Sequence, residues 1–366
     1  MNIKSPTQFL FLVCVISLIL AGCTGSPAST IAPNPPAPTS TPGSYWPTKT
    51  WRTSSPDEQG MDSGKLAQML AAIQQGQLNL HSLLVVRNGY LVSETYFGSD
   101  QDTRYQLYSC TKSFVSTLIG IAMDQGLIDR LDQRVVDFFP DYSFANLDQQ
   151  KQSMTLDDVL TMRSGLDWQE GDPAYAALYR SSDWIQSMLD MPMALQPGTK
   201  FNYCSGCTHI LSAIVHETTG MGTFDFAKKY LFKPLGITNV RWDNDAAGIP
   251  IGGWGLQLTP RDMAKLGYLF LRNGEWDGQQ IISAKWVQIA TQKHTDTDDD
   301  NRGYGYQWWT YPSLQAYMAL GRYGQMIFVI PRLDLIVVTT AQLDNHDELF
   351  KLVEQYIVPS IEPAQD

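Results

Sequence analysis

The order of apolar patterns along the chain predicts an α/β fold in which one lobe is assembled from both ends of the sequence and a helical lobe is inserted between them. Three observations carry that expectation. Two β-branched, apolar runs, 82–87 and 90–97, flank Asn88-Gly89, a pair that favours a tight hairpin turn because both residues tolerate positive φ. Residues 129 to about 248 are rich in helix and loop signals, with segments starting at Leu131, Thr155 and Ser182. Strand character then returns at 307–311, 315–320, 326–330 and 335–340, and 349–358 closes as a helix. A cleft between two such lobes is a natural place for a site.

The beginning of the chain reads as an address. Lys4 precedes an apolar run over 9–20, too short to remain as a membrane span and typical of a signal peptide. Leu20-Ala21-Gly22-Cys23 resembles a bacterial lipobox, which implies cleavage before Cys23 and lipid on that residue. The expected organisation is a lipoprotein signal peptide at 1–22, a Pro/Ser/Thr-rich tether at 23–50 that lacks the apolar side chains to build a core, and a folded domain at 51–366. The expected location is the cell envelope, outside the cytoplasm, with the lipid inserted in a membrane. The formal net charge of the 366 residues is −11 and no long Lys/Arg cluster opposes it, which argues against nucleic acid as a partner.

In the expected domain, Leu66, Met69, Leu70 and Ile73 recur at helical spacing between the N-cap signal Asp62-Ser63 and Gly76. The hairpin follows. A helix beginning near Ser109 then carries Phe114, Leu118, Ile121 and Ala122 on an apolar face and stops at Gly126. Thr155-Leu156-Asp157-Asp158 is a capped helix start that leads to Ser164-Gly165, and helices at 209–217 and 223–231 end the inserted region.

The chemistry concentrates at Ser109-Cys110-Thr111-Lys112. Residues three apart share a helix face, so the Lys112 amine reaches the Ser109 hydroxyl, which is a poor nucleophile at neutral pH without an adjacent base. Residues 197–206 have no periodicity and read as a loop carrying Tyr203, and a Tyr beside a lysine ammonium is expected to have its pKa lowered because the cation favours phenolate.

Ser109-x-x-Lys112, Tyr203-Cys204-Ser205 and Gly321-Arg322-Tyr323-Gly324-Gln325, in that order, resemble the β-lactamase-related serine hydrolases. This group includes class C β-lactamases, D-alanyl-D-alanine carboxypeptidases, certain esterases and 6-aminohexanoate-dimer hydrolases. The similarity runs over roughly 60–358 and takes in 160–166 and 252–256. It implies a β-lactamase/transpeptidase-like fold, an antiparallel sheet flanked by helices. It also implies Ser109 as acylated nucleophile, Lys112 as activating amine and Tyr203 as the general base that later protonates the leaving group. Two departures stand out. The family's Tyr-x-Asn is Tyr203-x-Ser205 here, and no Lys-Thr-Gly is present, with non-basic residues near 316–318. Both favour an ester or small amide substrate over a β-lactam. The substrate-binding residues expected from the resemblance are Ser205, Arg322 and Gly324, with Arg322 offering a backbone N–H to the oxyanion and a guanidinium to a substrate carboxylate. The expected function is a serine hydrolase acting through an acyl-enzyme. The alternatives are a D-alanyl-D-alanine carboxypeptidase or β-lactamase-like enzyme, or a surface-tethered binding protein with weak turnover.

No cofactor or metal is expected. His81, His209, His216, His294 and His346 are scattered without zinc spacing, and Asp298-Asp299-Asp300 does not follow calcium-loop spacing. Trp308, Trp309, Tyr311 and Tyr317 read as core, and Tyr175 and Tyr179 as parts of an irregular stretch near the cleft. Of Cys110, Cys204 and Cys207, three buried free thiols is the first expectation, ahead of a Cys110–Cys204 bridge; pairing of Cys204 with Cys207 stays open.

Overall fold

Asn88 and Gly89 turn the chain at φ +51° and +74°, and the strands on either side, β1 (Leu80–Arg87) and β2 (Tyr90–Tyr96), pair antiparallel. The structure, a computed structural model, describes residues 45–361. The expected signal segment, Cys23 and the tether up to residue 44 lie outside the described residues.

The late strands are β3 (Thr295–Asp296), β4 (Gly303–Tyr304), β5 (Trp309–Tyr311), β6 (Ala316–Gly321), β7 (Gln325–Ile330) and β8 (Leu335–Ala341). Together with the hairpin they form one antiparallel sheet of order β2-β1-β8-β7-β6-β5-β4-β3, with Leu83 opposite Thr339 and Met326 opposite Thr339 on the other side. Alternation sorts the side chains. Leu84, Val86, Ile327, Val329, Ile336 and Val338 enter one core cluster, while Leu83, Val85, Met326, Phe328, Leu335 and Val337 enter another. Each buried aliphatic of this kind stabilises the fold by about 1.5–3 kcal/mol relative to exposure.

Helix α1 (Ser63–Gln75) starts where Asp62 accepts the N–H groups of Gly64 and Lys65 and covers the second cluster with Leu66, Met69 and Ile73. The C-terminal helix, Asp347–Leu352 continued by wider turns over Val353–Ile357, packs beside it. Four more helices matter for the site: α2 (Thr111–Asp124), α3 (Asp172–Arg180), α4 (Ser205–Thr219) and α5 (Pro260–Leu271). The first face of the sheet is covered by α5, whose Met263, Leu266 and Phe270 lie in that cluster. Helix α2 packs against α4 of the inserted region, and residues 111–122 are buried on every side.

Several expectations are corrected. The segment at Leu131 is not a helix but a turn before a short 3₁₀ turn at Val135–Phe138, and the carbonyls of Leu131 and Gln133 accept from Asp157 and Leu156 instead of from a helical turn. The stretch with Tyr175 and Tyr179 is helical rather than irregular. The tether does not extend to residue 50: Trp46 packs on Tyr268 and Trp276 at 5.7 and 5.6 Å, and Trp276 Nε1 donates to Thr48 Oγ1 at 2.8 Å, so residues 45–50 are part of the folded body.

Candidate active site

The turn before α2 presents Ser109. Leu107 is pinned when its N–H bonds Leu256 O at 2.9 Å. Tyr108 then takes φ +47°, a left-handed conformation that costs a bulky residue on the order of 1–3 kcal/mol. Its ring meets Tyr323 edge-on at 5.3 Å. The helix therefore does not begin at Ser109: Tyr108–Cys110 is a 3₁₀ turn, and α2 starts at Thr111 with no side chain capping it. Beside this turn passes the end of β6. A Cβ at Gly321 would lie 2.3 Å from Leu107 O, so only glycine lets the strand approach so closely.

Lys112 points back along α2, and its Nζ donates to Ser109 Oγ at 2.9 Å, Ser205 Oγ at 2.9 Å and Gly253 O at 2.8 Å. The side chain is 1 % exposed. Burial pushes its pKa from the ordinary 10.5 down to about 8, against the pull of the Glu170 carboxylate. Gly253 is held by its neighbours: the Gly252 N–H points at His209 Nδ1, and the other ring nitrogen of His209 is 2.9 Å from Asp245.

Tyr203 comes from the loop before α4 and stacks on Trp309 at 5.6 Å, with Lys112 Nζ 4.8 Å from its ring centroid. Its phenol pKa moves opposite to expectation. Burial raises it well above 10, Tyr304 and Glu170 add to the rise, and a hydrogen bond with Ser109 offsets part of it. The phenol therefore holds its proton at neutral pH and is a donor there.

Ser109 and Tyr203 open into a cavity of about 530 Å³ whose walls include Glu170, Asp172, Tyr175, Arg302, Trp309, Gly321, Arg322 and His346. Of the three residues expected to bind substrate, only Arg322 lines it. The Arg322 side chain is 54 % exposed and reaches Asp172 at 3.5 Å, so its guanidinium is already paired. Ser205 is corrected from a wall residue to an internal one: it is 1 % exposed and lies between Lys112 and Glu170. Gly324 is likewise corrected. It is buried at φ +93° in the β6–β7 turn, and its carbonyl accepts from Thr339 Oγ1 at 2.8 Å.

The cysteines also differ from expectation. Cys204 and Cys207 form a disulfide with Cα atoms 5.2 Å apart, a separation set by the first turn of α4, and Cys110 is free and buried with its thiol on Gln325 O at 3.2 Å. Neither three free thiols nor a Cys110–Cys204 bridge is present.

Glu170, Arg302, Trp309 and His346 are cavity residues that sequence reasoning did not place there. Trp309 was grouped with the core, where Trp308, Tyr311 and Tyr317 indeed lie. Nothing in the spacing around Trp168-Gln169-Glu170-Gly171 marks the carboxylate. Among the described residues no group of three His, Cys, Asp or Glu is placed to hold a metal ion.

Comparison with known proteins adds a wider frame. The profile of a family described as Beta-lactamase matches residues 65–357. The 6-aminohexanoate-dimer hydrolase of Paenarthrobacter ureafaciens is 26 % identical over 292 residues, covering 73 % of this chain and 73 % of that protein. A family VIII carboxylesterase structure superposes with a TM-score of 0.68 at 16 % identity, covering 84 % of this chain and 98 % of its own. The octameric penicillin-binding protein homologue from Pyrococcus abyssi gives 0.66 at 19 % identity over 81 % and 77 %.

Proposed function

Because this chain belongs to the Beta-lactamase family of serine hydrolases, we propose that Ser109 is its acylated nucleophile, Lys112 the base that activates it and Tyr203 the acid that releases the leaving group. The observation that carries this reading is the single lysine amine bonded to the Ser109 hydroxyl while its own pKa is depressed to about 8, so that a fraction is neutral at neutral pH. As Ser109 Oγ bonds the substrate carbonyl carbon, its proton passes to Lys112. The oxyanion is held by backbone N–H groups of Ser109 and of Arg322 at the end of β6. Collapse breaks the bond to the leaving group, which takes the Tyr203 phenolic proton, and the Lys112 ammonium returns a proton to the phenolate. Water then cleaves the acyl ester by the reverse sequence, leaving all three groups as they began.

The substrate proposed is an ester or small amide. No lysine lines the cavity among the described residues, and β6 carries no Lys-Thr-Gly to grip a β-lactam carboxylate. The name of the Paenarthrobacter relative supports an amide. The test is labelling with a fluorophosphonate, peptide mapping, and turnover of short p-nitrophenyl esters and nitrocefin side by side. Label on Ser109 with ester cleavage and poor nitrocefin turnover is the expected result; label elsewhere removes the mechanism, and efficient nitrocefin turnover removes the substrate class. Absence of any turnover would favour a binding protein.

The location proposed is outside the cytoplasm, anchored through lipid on Cys23. The disulfide supports an oxidising compartment. Mass spectrometry of the N-terminal peptide from a membrane fraction checks the anchor; an unmodified peptide there, or a soluble chain, would refute it.

A further inference from the structure

Glu170 gathers four donors. Its carboxylate accepts from Trp168 Nε1 at 2.5 Å, the Tyr175 hydroxyl, the Ser205 backbone N–H at 3.0 Å and the Ser205 hydroxyl at 2.5 Å. An ionised carboxylate only accepts, so the single Ser205 hydroxyl proton points at Glu170 and the Ser205 lone pairs face Lys112.

This has a consequence for the neutral amine, which has two N–H groups and one lone pair. Its three neighbours are Ser109 Oγ, Ser205 Oγ and Gly253 O. Gly253 O can only accept. Ser205, with its proton committed to Glu170, can also only accept. The two N–H groups are therefore taken, and the lone pair has one place left to point, the Ser109 hydroxyl. Were Ser205 free to turn, it could donate to that lone pair and block the base.

We propose that Glu170 is a positioning residue that keeps Ser205 an acceptor and so aims the Lys112 lone pair at Ser109. This rests on the roles given above to Ser109 and Lys112 and adds one that acts through Ser205. The carboxylate also favours the Lys112 ammonium, so its loss moves the acid limb of reactivity to lower pH.

The experiment reads the rate of Ser109 labelling by a fluorophosphonate against pH, which needs no knowledge of the natural substrate. On the high-pH plateau, where Lys112 is neutral in every variant, Glu170→Gln should label about 10- to 100-fold more slowly than the parent, the low end of the range for acid–base groups. Its acid limb should lie at lower pH. Adding Ser205→Ala to Glu170→Gln removes the misdirected donor and should recover at least about threefold, a non-additivity that marks coupled sites. Should Glu170→Gln fold poorly, Glu170→Ala is measured with and without added formate, and acceleration by formate is expected. Parent-like plateau rates in Glu170→Gln, a loss that Ser205→Ala deepens, or no response to formate in Glu170→Ala would each overturn the proposal. Label away from Ser109 in the parent would instead overturn the underlying roles, so the two failures are distinct.

Discussion

Two helices begin at the site, and their first turns are built in opposite ways. The start of α4 is filled: Cys204 Sγ accepts the Cys207 N–H at 3.0 Å, Glu170 accepts the Ser205 N–H, and a disulfide ties the turn to itself. The start of α2 has no side-chain cap, is entered through the left-handed Tyr108, and carries Ser109 just ahead of it. A helix N-terminus favours negative charge. At α4 that preference is met by a resident carboxylate, whereas at α2, on the mechanism proposed above, it is left for the charge that develops on a substrate oxygen. One turn is finished for rigidity, and the other is left incomplete for chemistry.

The largest effect tests the open turn. Ser109→Ala should abolish fluorophosphonate labelling and lower ester turnover by about three orders of magnitude or more; residual turnover near the parent's would end the comparison. Next, Lys112→Met should lower kcat by about two to four orders with KM little changed. It should also reveal what the buried amine costs. The unfolded lysine keeps its proton up to the ordinary 10.5 and the folded one only to about 8. Between those values the unfolded state binds more protons, so parental stability relative to Lys112→Met should rise with pH through that window. Urea melts of both proteins across that range check the sign, and a flat or falling difference would contradict it. Gly321→Ala drives a methyl at Leu107 O, and a destabilisation of about 1–3 kcal/mol with slowed Ser109 labelling is expected. The smallest effect belongs to the filled turn. Cys204→Ser with Cys207→Ser should lower stability by about 2 kcal/mol or less, since the closed loop is short, and should leave labelling within about tenfold. Full loss of labelling there would mean that the disulfide, rather than the Glu170 contact, holds Tyr203 and Ser205.

What was legible in the sequence follows from how local each signal is. Ser109 and Lys112 lie one turn apart, and the Asn88-Gly89 hairpin and Thr155 capping box are written within four residues, so all three appear as expected. Tyr203 was placed correctly beside the lysine, but its acidity was not: proximity to a cation lowers a phenol, burial raises it, and burial depends on Trp309 and Tyr304 from a distant strand pair. Glu170 was invisible because its meaning lies in Ser205, and Ser205 looked like a substrate contact until Lys112 and Glu170 closed around it. Helix α5 went unread for a related reason. It is buried from Asp262 to Leu271, and the charges of Asp262 and Lys265, which pair with each other at 2.9 Å inside the fold, break up the apolar pattern a buried helix would otherwise show.

The order of strands sets the timetable of folding. β1 lies between β2, its neighbour in sequence, and β8, which emerges near the end of the chain. The hairpin can therefore close early while the other edge of β1 stays unpaired through synthesis of the whole inserted lobe. Pairings that wait for distant residues raise contact order and slow folding, and an apolar strand with a bare edge is a template for association with other chains. A chain truncated before β8 should thus be retained as aggregate rather than as a partly active enzyme, and helpers that shield strand edges should raise its yield more than any change at the site.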